Sequence, residues 1–169
     1  KKHKSYISNN CNFQIDCSGS MLEGEIMPLS IALQLFLLSN NNSFISFVDP
    51  KVCIVKGDTL EKKIESILSN GMESKGDIVK GIELSLQQKK NTHIVFTDGK
   101  YPLLHIQEIK QLQDTYKQSI KIIICIIEPN NTMPKVQKIK DISNLYIVTG
   151  YSPLLLSFLL ESKNSVETE

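Results

Sequence analysis

The apolar run Ile122 to Ile127, at the heart of a strand-like stretch from Ile120 to Ile127, constrains this chain more than any other feature. A strand apolar at successive positions buries both of its faces, which is the habit of central strands in a parallel sheet. Thr92-His93-Ile94-Val95-Phe96-Thr97 reads as a second such strand. Between the two, Leu103, Leu104, Ile106, Ile109, Leu112 and Tyr116 recur at helical spacing over Pro102 to Gln118. Strand, helix, strand in that order is the unit of a parallel sheet, since parallel neighbours need a long crossover.

The rest of the chain extends this alternation. Asn12 to Ile15 is a short strand that carries the polar Gln14. Pro28 suits a first helical turn, and Leu29, Ile31, Ala32, Leu33, Leu35, Phe36, Leu37 and Leu38 predict a helix buried on most sides. Ser43 to Val48 and Val52 to Val55 flank the turn Asp49-Pro50 and predict a hairpin whose second strand is an antiparallel edge. Thr59 is placed to cap a helix with apolar Leu60, Ile64, Ile67 and Leu68, and Asn70-Gly71 is placed to stop it. Asp77 precedes another helix, marked by Ile78, Val79, Ile82, Leu84 and Leu86. Pro134 to Ile142 reads as a short helix, Leu145 to Val148 as a last strand and Pro153 to Leu160 as a final helix. The expected fold class is an open, doubly wound α/β sheet with helices on both faces. It holds six strands, five parallel and one an antiparallel edge. Residues 1–11 read as a polar leader, 12–161 as one domain and 162–169 as a disordered tail.

Composition narrows the function. Among 169 residues, 19 Lys and Arg stand against 18 Asp and Glu, a formal charge of +1 with the lysines scattered, which is no footprint for nucleic acid. The longest apolar run is strand-sized, so no membrane span is expected. Four cysteines, at positions 11, 17, 53 and 125, have no Cys-x-x-Cys spacing. They read as free thiols, for which a reducing compartment, the cytoplasm, is the expectation.

Chemistry gathers where two strands end. Asp16 closes the first, with hydroxyls following at Ser18 and Ser20, and Asp98 closes the Thr92 to Thr97 strand. In open α/β sheets the ligand crevice lies beyond the carboxyl ends of the strands. All of these donors are oxygens, which suit Mg²⁺, Mn²⁺ or Ca²⁺ rather than a metal that prefers thiolate. The string Asp16-Cys17-Ser18-Gly19-Ser20-Met21 resembles the metal-ion-dependent adhesion site of von Willebrand factor A domains of the intracellular type. Thr97-Asp98-Gly99 resembles the second acidic position of that family, whose element order, early antiparallel edge included, matches along nearly the whole chain. The resemblance implies that Asp16, Ser18, Ser20 and Asp98 hold a divalent cation. It departs before the third helix, where the family places a Thr and this chain has Gly76. Ser74, the carboxylate of Asp77 or water would fill that position; Asp77 also reads simply as a helix cap.

Enzymatic alternatives lack their signatures. There is no Gly-x-Ser-x-Gly elbow to activate a serine and no Gly-x-Gly-x-x-Gly turn for a dinucleotide. An aspartyl phosphate on Asp16 lacks a general acid, and the side chain of Cys17 should alternate away from those of Asp16 and Ser18. The expectation is a protein-binding module, not an enzyme. Its cation is completed by an Asp or Glu of a partner, a ring-forming AAA+ ATPase being the first candidate by resemblance. The alternative is a metal-free assembly domain that kept the fold while the site decayed, as Gly76 suggests.

Overall fold

A computed structural model describes residues 11–16, 43–48, 51–54, 57–69, 78–97, 104–117, 120–126, 135–140, 142 and 144–149. These form seven strands: β1 (Cys11–Asp16), β2 (Ser43–Val48), β3 (Lys51–Ile54), β4 (Thr92–Thr97), β5 (Lys121–Ile126), β6 (Lys135–Lys138) and β7 (Leu145–Thr149). Three helices accompany them: α1 (Leu60–Ser69), α2 (Ile78–Gln87) and α3 (Leu104–Tyr116). The helices expected over Pro28 to Leu38 and Pro153 to Leu160, the leader short of Cys11 and the tail lie outside the described residues.

One mixed sheet runs in the order β3-β2-β1-β4-β5-β7-β6. The central five strands are parallel, with Asn12 beside His93, His93 beside Ile122 and Ile122 beside Leu145. At one edge β3 is antiparallel to β2, as the hairpin pattern predicted. The other edge holds a correction: Pro134 to Ile142 is not a helix, because Lys135–Lys138 pairs antiparallel with β7 and Ile139 N–H donates to the Leu145 carbonyl over 3.1 Å. Val136, Ile139 and Ile142 recur every three residues, so local spacing favoured a helix. The open edge of β7 offers interstrand backbone partners, and a helix this short is marginal without them.

Local signals explain the helix ends. The Thr59 hydroxyl accepts the Lys62 N–H over 3.3 Å and caps α1. After α2, Lys89 takes the left-handed conformation (φ 54°), and the Lys90 and Lys89 N–H groups donate to the carbonyls of Ser85 and Leu86. That pair of bonds is a Schellman closure, and it turns the chain directly into β4.

On one sheet face Val95, Ile122, Ile124 and Leu145 pack with Ile78, Ile82 and Leu86 of α2 and Ile109 of α3. Phe13, Ile94, Phe96, Ile123 and Cys125 alternate to the opposite face and are buried too, so neither face of the central strands meets solvent. A continuous apolar core of this kind holds the sheet rigid beneath the strand ends.

Candidate functional site

Strand order places the crevice. From β1 the sheet grows one way through β2 and β3, then the chain returns past β1 to lay down β4, β5 and β7 on its other side. β1 and β4 are therefore neighbours whose connections leave in opposite directions, the arrangement that opens a ligand crevice at their carboxyl ends. Their register runs from Cys11 beside Thr92 to Ile15 beside Phe96, so Asp16 ends β1 next to the place where Thr97 ends β4. Asp16 also lies beside Phe47 of β2. Of the residues expected to form the ion site, only the backbone of Asp16 is described. Ser18, Ser20, Ser74, Asp77 and Asp98, with Gly76, lie outside the described residues. Among the described residues no three His, Cys, Asp or Glu side chains converge.

Below the carboxyl ends of β1 and β4 stands a polar layer of which only Gln14 stands out in the sequence. Asn12, Gln14, Ser85 and His93 are each fully buried. Asn12 and Gln14 occupy alternate positions on one face of β1, His93 lies beside Asn12 on β4, and Ser85 comes from α2 above them. Asn12 Nδ2 donates to Ser85 Oγ over 2.9 Å and to Gln88 Oε1 over 3.2 Å. His93 Nδ1 lies 2.5 Å from Ser85 Oγ, and its Nε2 lies 2.5 Å from Gln14 Oε1. Because Gln14 Oε1 only accepts, Nε2 carries the imidazole proton and Nδ1 accepts from the Ser85 hydroxyl. All donors then point one way, from Asn12 through Ser85 to His93 and on to Gln14.

This arrangement requires a neutral imidazole, and burial enforces one by pushing the His93 pKa down to about 3. Room for Gln14 comes from Gly81, where a Cβ would stand 2.0 to 2.3 Å from the carboxamide atoms. Gly81, Ser85 and Gln88 follow each other at i, i+4 and i+7, a polar stripe beside the apolar stripe Ile78, Ile82 and Leu86. That spacing was visible in the sequence, but its partners on β1 and β4 were not.

Cys125 is a buried free thiol, as expected, and burial raises its pKa to about 12. Cys17 and the side chains of Cys11 and Cys53 lie outside the described residues. Among the described residues, no helix is long and apolar enough to cross a membrane.

No protein-family profile and no curated protein matches the chain. Solved structures do. The Ro (RSR) protein of Deinococcus radiodurans superposes with a TM-score of 0.59 at 14% identity, over 93% of this chain and 34% of that one. The present chain thus spans about a third of that protein's length. The VWA domain of SpRpn10 superposes with a TM-score of 0.52 at 14% identity, over 91% of this chain and 94% of that domain. Superposed over nine-tenths of its length on a VWA domain, and carrying the five-stranded parallel core with the early antiparallel edge, this chain has the von Willebrand factor A fold.

Proposed function

We propose that the chain is a protein-binding module that grips an acidic side chain of its partner through a divalent cation at the β1/β4 crevice. One observation carries the reading: Asp16 ends β1 beside the end of β4 at the point where the sheet order reverses. Donor chemistry fits the cation. Asp16 and Asp98 bring full charges, Ser18 and Ser20 bring neutral oxygens, and an all-oxygen set suits Mg²⁺, Mn²⁺ or Ca²⁺. Ser74 or Asp77 would add a donor from the segment before α2. A bound cation supplies one Lewis-acidic position for a partner's Asp or Glu. The chain's own residues anchor that charge and leave it incompletely neutralised. A ring-forming AAA+ ATPase is the first partner to test, in a cytoplasmic setting, and the reading assigns no catalysed reaction to the chain.

Gly76, standing where a hydroxyl completes the shell in the family resembled, favours a second reading: a metal-free assembly domain with the same fold. Thermal unfolding with and without millimolar Mg²⁺ or Mn²⁺ separates the two. An ion bound by the native state stabilises it by mass action and raises the midpoint. An unchanged midpoint with both ions favours the metal-free domain.

A further inference from the structure

We propose that the buried bracket of Asn12, Gln14, Gly81, Ser85 and His93 is a positioning device that sets the first turn of α2 against the carboxyl ends of β1 and β4. The inference rests on the crevice reading above and extends it to residues remote from the ion.

Three elements meet in the bracket, and each adjoins a candidate site segment. β1 supplies Asn12 and Gln14 and ends in Asp16; β4 supplies His93 and ends at Thr97, one residue before Asp98; α2 supplies Gly81 and Ser85 and starts at Ile78, one residue after Asp77. Contacts fix the direction of α2. Gly81 meets Gln14, whereas Ser85 and Gln88 meet Asn12, so rising numbers on the helix run against rising numbers on the strand. From Gly81 back to Ile78 the helix advances about 4.5 Å. From Gln14 on to Asp16 the strand advances about 6.6 Å the same way. The first turn of α2 therefore stands level with the end of β1.

The bracket is suited to holding that level. Its hydrogen bonds are directional, whereas the burial of the flanking Ile78, Ile82 and Leu86 is apolar and sets no direction of its own. The missing side chain at Gly81 lets the helix approach until the Gln14 carboxamide fills the gap. A shift of α2 by one residue would bring a side chain in place of Gly81 onto Gln14 and separate Ser85 from His93.

The test uses the full chain with Ser85→Ala, which deletes the central hydroxyl, and Gly81→Ala, which drives a methyl into Gln14. Ile109→Ala, in the apolar core of α3, is the control for lost stability alone. Each protein is read twice: Mg²⁺ affinity by calorimetry, and the backbone amide resonances of Asp16 and Thr97 in metal-free protein. Both bracket variants are expected to move those resonances and to weaken Mg²⁺ by roughly tenfold, the low end of what losing a support behind a metal ligand costs, because the bracket acts through the backbone of its strands and helix. Ile109→Ala should lower the melting temperature and change neither. Should Gly81→Ala fail to fold, Ser85→Ala decides. Unmoved resonances in folded Ser85→Ala, or Mg²⁺ affinity equal to wild type, overturns the proposal. If wild type itself binds no Mg²⁺, the functional reading fails separately. The bracket is then judged on the metal-free resonances, movement supporting it and constancy overturning it.

Discussion

Gly81 of α2 approaches Gln14 of β1 so closely that a single added methyl would stand 2.0 Å from the carboxamide nitrogen. This contact reverses an ordinary expectation. In a helix interior, Gly to Ala normally stabilises by about 0.5–1 kcal/mol through lost backbone freedom in the unfolded chain. Here the methyl must displace Gln14 from His93, and overpacking of this kind costs about 1–3 kcal/mol. Gly81→Ala is expected to lower the urea midpoint. Gly81→Ala combined with Gln14→Ala should recover part of the loss, because the space is returned though the hydrogen bond is not.

His93 makes stability depend on pH. Its pKa is lowered from 6.5 to about 3 by burial, so between those values the unfolded chain binds a proton that the native state does not. Stability is therefore full above pH 6.5 and falls as pH drops toward 3. From pH 7 to pH 5 this group alone should remove about 2 kcal/mol. In His93→Gln the unfolding free energy should vary less over that range. Equal slopes for the two proteins would contradict the buried neutral imidazole.

Cys125 lies on β5 with its thiol pushed up to about 12, so almost none is thiolate at neutral pH. In a variant with the other three cysteines changed to Ser, labelling by a disulfide reagent should be slow in buffer and complete in denaturant. Rapid labelling of the folded variant would show that β5 opens locally.

The ion site is tested by two substitutions of opposite sign. Asp16→Ala removes the charged donor at the end of β1 and should abolish divalent-metal binding while the fold persists. Apo stability of that variant should equal or exceed wild type, since two carboxylates repel when no cation lies between them. Gly76→Thr adds a hydroxyl where the resembled family has one and should tighten Mg²⁺ binding. Calorimetry at millimolar Mg²⁺ or Mn²⁺ reads both. Absence of binding in wild type and in both variants would leave the metal-free domain as the better account.

Periodicity, end signals and strand composition are local properties, so the sequence alone determined the elements that depend on them. Thr92 to Thr97 forms β4 with those bounds, Ser43 to Val48 forms β2, Thr59 caps α1, and the apolar stretch near Ile122 becomes the β5 strand between β4 and β7. The doubly wound class followed from their order, because parallel strands joined by helices have few ways to pack. What tertiary structure decided was pairing between distant segments. Lys135–Lys138 became a strand because the edge of β7 was there to accept it. Gln14, which looks like a flaw in an apolar strand, sits under a glycine from a helix 67 positions further along, against a histidine 79 positions away. The worth of a buried polar side chain depends on partners that meet only after folding, and no local pattern records them. The candidate ion site divides the same way: its oxygen donors are legible in the residue types, whereas the adjacency of the β1 and β4 ends arises from the reversal of strand order.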